Sequence, residues 1–275
     1  MKIKVSEVFF SLQGEGLYLG TPSIFLRTFG CNFQCGGYAM PQGKKSEEHL
    51  AIDPSKYTKY EDLPLVHTGC DSYASWSPRF KHMSPTLTID EIVERIVNLL
   101  PDRRFGTNKH LIITGGEPLL GWQRSYPSLL AELYEHGLAH ITFETNGTQK
   151  LNDDLFTFLK TSKLNVTFSI SSKLPSSGEP WGKAIRPDAV VDYCLFDAAY
   201  FKWVITNPRD IDDALRAFDE YYNFGINIPV YLMPAGGTAE IYNENKHWVA
   251  ELAKQHGFRF SPRLQIDLYG NAWGT

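Results

Sequence analysis

The residues best suited to chemistry in this chain are its four cysteines, at positions 31, 35, 70 and 194. Cys31 and Cys35 are separated by three residues, directly after the apolar run Ser23 to Phe29. That spacing lets two thiolates converge on one metal centre from a compact loop. Structural zinc sites use a similar spacing but add a second pair, which this chain lacks. Cys70, in His67-Thr68-Gly69-Cys70-Asp71-Ser72, is the third candidate. Three thiolates on a four-site centre leave one position open for chemistry. Cys194 lies between Val190-Val191 and Leu195-Phe196 and reads as a packed thiol. Gly115-Gly116-Glu117-Pro118 and Glu144-Thr145-Asn146-Gly147 each follow a strand-like run. Taken singly, each is equally well an ordinary Gly or Asn-Gly turn. Arg27 lies within the run Ser23 to Phe29, where a lone charge is costly unless paired. Its guanidinium fork suits a substrate carboxylate, or a structural ion pair with Glu15 or another acid. His110, His136 and His247 sit in helix or strand patterns that favour packing or surface roles.

The elements that must position these residues alternate. From Ser84 onward, Thr88-Ile89-Asp90-Glu91 fits a capping box, followed by Ile92, Ile96, Val97 and Leu100 at helical spacing. His110 to Thr114, His140 to Thr145, Asn165 to Ile170, Tyr200 to Ile205, Ile228 to Met233 and roughly Arg263 to Leu268 read as strands. Helical patterns stand between them at Ser128 to His136, Asp153 to Lys160, Asp210 to Tyr222 and Ile241 to His256. Strands separated by helices imply a parallel sheet with right-handed crossovers. About six strands, short of eight, favour an α/β fold built as an incomplete TIM-like barrel with helices outside. Residues 1–275 read as a single domain. Gly36 to Gly69, with Pro41, Pro54 and Pro64 and little periodicity, reads as an insertion in the cysteine loop.

Composition narrows the function. At 43% hydrophobic the chain can build a sizeable core, and a net charge of −4 argues against a broad nucleic-acid surface. No run of 18 apolar residues suggests a membrane span. Met1 to Val5 enters a strand-like alternation without a signal peptide's apolar block. Four cysteines are too few for a disulfide scaffold at this length. A reducing cytoplasm is the expected setting.

Several motifs in order carry a resemblance. Phe10-Ser11-Leu12-Gln13-Gly14-Glu15-Gly16, Phe25-Leu26-Arg27-Thr28-Phe29-Gly30-Cys31-Asn32, the GGEP and ETNG segments, Ser169-Ile170-Ser171-Ser172-Lys173, Phe201-Lys202-Trp203-Val204 and Tyr231-Leu232-Met233-Pro234 resemble the radical S-adenosylmethionine (SAM) superfamily. Within it, they are similar to the 7-carboxy-7-deazaguanine synthases, over nearly the whole chain outside 36–69. The resemblance implies a [4Fe–4S] cluster on Cys31, Cys35 and Cys70, with SAM on the remaining iron. It implies SAM contacts from Gly116, Glu117, Glu144, Asn146, Ser171, Ser172 and Lys173. Substrate contacts are implied for Leu12, Gln13, Gly14, Glu15, Arg27, Thr114 and Gln265, and a Mg²⁺ contact for Ser72. The implied reaction is ring contraction of 6-carboxy-5,6,7,8-tetrahydropterin to 7-carboxy-7-deazaguanine with loss of ammonia. A flavodoxin- or ferredoxin-type electron donor and a homodimer come with the family.

Three departures stand out. The superfamily's C-x3-C-x2-C becomes C-x3-C-x34-C, because position 38 is Tyr38 and the cysteine followed by Asp and a hydroxyl residue is Cys70. The aromatic residue usually beside the second cysteine is Gly36, leaving Tyr38, His67 or Tyr73 as substitutes. Gln265 stands where related synthases often show histidine; it can donate and accept hydrogen bonds but does not titrate. Two other readings compete: an activase of a glycyl-radical enzyme, and a zinc-stabilised binding module using Cys31, Cys35, Cys70 and either His67 or Cys194.

Overall fold

The computed structural model describes Met1–Thr275. Nine strands form one sheet: β1 (Lys2–Leu12), β2 (Pro22–Thr28), β3 (Thr86–Thr88), β4 (His110–Gly115), β5 (His140–Thr145), β6 (Asn165–Ile170), β7 (Ala198–Ile205), β8 (Val230–Pro234) and β9 (Arg259–Phe260). Their order is β3-β1-β2-β4-β5-β6-β7-β8-β9. β2 and β4 to β9 are parallel, while β1 pairs antiparallel with both β2 and β3. The two edge strands are not bonded to one another, so the sheet is open. Helices α1 (Ile89–Asn98), α2 (Tyr126–Glu135), α3 (Asp153–Thr161), the short α4 (Trp181–Ala184) and α5 (Pro187–Val190), α6 (Asp210–Asn223), α7 (Ala239–His256) and α8 (Leu264–Tyr269) complete the fold.

Alternation along the strands divides core from site. On β4, Leu111 and Ile113 feed the main core, with Ile141 and Phe143 of β5, Val166 and Phe168 of β6 and Phe201 and Trp203 of β7. The intervening residues Thr114, Glu144, Ser169 and Lys202 line a cavity on the other face. This is the period-two pattern of a strand, with polar groups kept on the buried inner side. The expected capping box starts α1: Thr88 Oγ1 accepts from Glu91 N at 3.3 Å and Glu91 Oε2 from Thr88 N at 2.7 Å.

One expectation needs correction. Seven strands run parallel, but the final one is not Arg263 to Leu268. That segment is α8, and β9 is the two-residue pair Arg259–Phe260, which bonds to Tyr231 and Leu232. The alternation Leu264, Ile266, Leu268 imitates a strand, but Ile266 is buried and Leu268 is 51% exposed. Gly257, in a left-handed conformation at φ +70°, ends α7 and turns the chain early onto the sheet edge.

Residues 36–69 hold no strand or α-helix, only single 3₁₀ turns at Glu48–Leu50, Pro54–Lys56 and Tyr60–Asp62. The segment is nevertheless docked. Tyr60, Leu63 and Val66 are buried with Tyr73, Ala74, Phe80 and Trp273 in a second small core. The Tyr60 hydroxyl bonds to Ala74 O at 3.1 Å and Ser84 Oγ at 2.7 Å. The two ends of the segment are drawn together by Gly69 N donating to Tyr38 O at 2.8 Å and by the Ser46 and Thr68 hydroxyls, 2.7 Å apart. No helix in the chain is long and apolar enough to cross a membrane.

Candidate active site

A cavity of about 260 Å³ lies at the C-terminal ends of the parallel strands, where β2, β4, β5, β6, β7 and β8 each contribute to its wall. Cys31, Cys35 and Cys70 line one side of it. All three are free thiols. Burial pushes Cys31 up to about 12, Cys70 up to about 11, and Cys35 well above its ordinary value. Cys31 and Cys35 also feel the charge of Cys70, and Cys70 that of Asp71, while Lys173 is the cation that opposes these effects on all three. Cys70 returns to this wall because the ends of the insertion are hydrogen-bonded together. Cys35 adopts φ +50°, a left-handed conformation that costs a non-glycine residue about 1–2 kcal/mol. Cys194 lies apart, its Sγ 3.6 Å from Val190 O. No three His, Cys, Asp or Glu side chains, Cys31, Cys35 and Cys70 included, converge closely enough to share a single metal ion.

The glycine pair after β4 serves the cysteine loop. A Cβ on Gly116 would fall 2.4 Å from Gly30 O and 2.8 Å from Cys31 Cβ, and Glu117 N donates to Gly30 O at 2.8 Å. Glu117 itself, expected to reach SAM, is fully buried and does not line the cavity. Its carboxylate accepts from Leu119 N at 3.0 Å, Thr145 Oγ1 at 2.8 Å and Asn146 N at 2.6 Å, which fastens the β4 turn to the end of β5. Ser172 is likewise turned away, its Oγ 2.8 Å from the Tyr221 hydroxyl. Gly116, Glu144, Asn146, Ser171 and Lys173 do line the cavity, with Lys173 Nζ donating to Ser171 Oγ at 3.0 Å. Asn146 Nδ2 also bonds to Asn32 Oδ1 at 2.9 Å, beside the first cysteine.

The same cavity is also lined by Leu12, Gln13, Gly14, Glu15, Arg27, Ser72, Thr114 and Gln265. Glu15 is its hub. It accepts from Lys202 Nζ at 2.6 Å, Gln265 Nε2 at 2.7 Å and Arg263 Nε at 3.1 Å. Burial alone would raise its pKa, but Lys202 and Arg263 outweigh that and hold the carboxyl at about 2. Lys202 is buried too; Glu144 and Glu15 overcome its desolvation and raise its pKa. Glu144 Oε1 accepts from Gln13 Nε2 at 3.2 Å and Lys202 Nζ at 3.4 Å, and its Oε2 from Thr114 Oγ1 at 3.2 Å. Gly14 is a close approach: a Cβ there would lie 1.9 Å from Gln265 Oε1. That oxygen is buried and has no hydrogen-bond partner.

Arg27 pairs with Glu7, not Glu15, through Nε at 2.8 Å, and its Nη1 reaches Ser72 Oγ at 3.4 Å. Its guanidinium sits 5.9 Å from the Phe9 ring and 6.0 Å from that of Trp273. Of the three aromatic candidates, Tyr73 is enclosed in the second core and absent from the cavity wall, while His67 and Tyr38 line it. His67 is tied to Glu48 at 3.0 Å, and Tyr38 packs with the cysteines. In the sequence Lys202 falls in a motif and Arg263 at the start of an expected strand, but neither was assigned a role. A lysine alone in the apolar run Ala198–Ile205 was the available signal for the first. Arg263 offered none, because its position depends on where α7 ends.

Compared with models of known protein families, the chain matches none. Compared with curated proteins, it is 30% identical to the 7-carboxy-7-deazaguanine synthase of Halobacterium salinarum, over 98% of this chain and 91% of that one. The chain belongs to the 7-carboxy-7-deazaguanine synthase family. The synthase of Pyrobaculum aerophilum is 26% identical, over 99% of this chain and 97% of its own. Among solved structures, the crystal structure of QueE from Escherichia coli superposes with a TM-score of 0.55 at 19% identity, over 96% of this chain and 95% of that one. The match in length shows that residues 36–69 do not make this chain long for its family. Membership also sets aside the activase reading, since the relatives are synthases.

Proposed function

We propose that this chain is a radical SAM carbon–nitrogen lyase that converts 6-carboxy-5,6,7,8-tetrahydropterin to 7-carboxy-7-deazaguanine and ammonia. The observation that carries the reading is one cavity lined both by three free thiols, Cys35 buried and Cys31 and Cys70 partly so, and by a polar, charge-paired group around Glu15. Three thiols with one neighbouring cation suit a multi-iron cluster, whose irons supply the positive charge that burial demands. Cys31, Cys35 and Cys70 would hold a [4Fe–4S] cluster, which together with SAM would supply the one-electron chemistry for hydrogen-atom removal from the substrate. The protein's own residues bind and orient. Gly116, Glu144, Asn146, Ser171 and Lys173 hold SAM, while Glu117 and Ser172 shape the turns beneath it. Arg27, fixed by Glu7, presents its guanidinium to the substrate carboxylate. Gln265 Oε1 is an open acceptor for the pterin's N–H groups, and Gln13, Glu15, Thr114 and the Leu12 and Gly14 backbone fix the remaining edges. Ser72 Oγ suits a Mg²⁺ ion that keeps water and substrate oxygens as its other ligands.

Residues 1–275 form one domain in this reading, an incomplete barrel with 36–69 as an insertion within the cluster-binding loop. A flavodoxin- or ferredoxin-type donor, a homodimer and a cytoplasmic setting complete it. The test is anaerobic: reconstituted, reduced protein with SAM, Mg²⁺ and the carboxy-tetrahydropterin should yield the deazaguanine acid and ammonia. Formation of 5′-deoxyadenosine without that product would defeat the substrate assignment. Full iron content in Cys70→Ala would defeat the choice of third ligand.

A further inference from the structure

The loop that follows β6 does more than approach the SAM side of the cavity. After Lys173 it folds over the cysteine segment and meets it in three hydrogen bonds. Gly37 N donates to Ser177 O at 2.8 Å. A single oxygen, Glu179 Oε1, accepts from both Gln34 N at 2.9 Å and Cys35 N at 2.8 Å. The backbones are in contact here, since a Cβ on Gly37 would lie 2.6 Å from Gly178 N. Glu179 is itself steadied by its N–H, which donates to Ser177 Oγ at 3.2 Å.

The two amides converge on that one oxygen, and Cys35 itself is left-handed, at φ +50°. Successive N–H groups in such a turn form a concavity that favours an anion, and iron–sulfur sites commonly use it. In this chain the concavity already holds a carboxylate. That leaves these two amides bonded to Glu179, and it sets a negative charge beside Cys35. Reduction adds negative charge to a cluster, so a fixed anion nearby disfavours the reduced form.

We propose that Glu179 is a positioning residue of the iron–sulfur site: its carboxylate fixes Cys35 in the ligating conformation, couples the cysteine loop to the Ser171–Lys173 loop, and lowers the cluster's reduction potential. The inference rests on Cys31, Cys35 and Cys70 being the cluster ligands. Its test uses Glu179→Gln, Glu179→Ala and Cys35→Ala, each reconstituted anaerobically and desalted. Iron and sulfide per chain, the midpoint potential and far-ultraviolet circular dichroism are measured. Glutamine keeps the acceptor and removes the charge, so E179Q holds wild-type iron and its potential shifts positive. Alanine removes both, so E179A loses most of its iron on desalting while its dichroism matches wild type. An unmoved potential in E179Q, or wild-type iron in E179A, overturns the inference. Iron lost from C35A but kept in E179A defeats the inference alone; full iron in C35A defeats the ligand assignment and the inference with it.

Discussion

Buried charge is what distinguishes individual positions in this site. Lys202 and Glu15 are 5% and 13% exposed and bonded at 2.6 Å, so removing one leaves the other uncompensated. Lys202→Met is expected to cost about 3–5 kcal/mol, read from urea unfolding at pH 7. Glu15 is held below its ordinary 4.5 at about 2, so the stability it contributes is present above pH 4.5 and lost as pH falls toward 2. Urea midpoints between pH 6 and pH 3 should decline in wild type, and less steeply in Glu15→Gln. The glycines separate structural from binding effects. Gly116→Ala drives a Cβ into Gly30 O and the Cys31 Cβ, which cannot yield without moving the proposed ligand, so it should abolish cluster retention. The Cβ of Gly14→Ala collides with the end of the Gln265 side chain, which can swing away, and lies 3.1 Å from Gln265 N, which needs a shift of only a few tenths of an ångström. Stability should hold while loss of that acceptor raises KM for the pterin roughly tenfold, the equivalent of one hydrogen bond.

At the scale of elements, local pattern was readable and the chain's returns were not. The capping box of α1 and the runs of β4, β5 and β6 are local facts, set by spacing within a few residues. The α8 segment was misread because a six-residue alternation cannot show which side chains meet a neighbour. The 36–69 segment had no periodicity to read, since it is built from single 3₁₀ turns held by a few anchors. Leu63 is one of those anchors, 5% exposed in the second core. Leu63→Ala is expected to cost about 2–5 kcal/mol. Because the same core includes Tyr73 and Ala74, close after Cys70, the variant should also release iron faster than wild type during gel filtration.

For the whole molecule, a cluster on the proposed ligand set would act as a clasp between distant parts of the chain. Cys31 and Cys35 follow β2, Cys70 ends the insertion, and Glu179 arrives from the loop after β6. Chelating the iron should speed amide exchange in residues 31–38 and 69–76, while β4 to β8 stay protected by the main core. Equal protection with and without iron in those two segments would show that the insertion holds the cysteines unaided. Taken alone, the sequence determined the strand and helix alternation and the motifs at strand ends, because both depend on neighbours in the chain. Cys70 was legible as the third candidate through the Asp71-Ser72 that follows it. What only the tertiary structure decided was the pairing of charges. Glu15 meets Lys202 across 187 positions and Arg263 across 248, and Arg27 takes Glu7 instead. Such contacts follow from strand register and from where α7 ends, which no local pattern encodes.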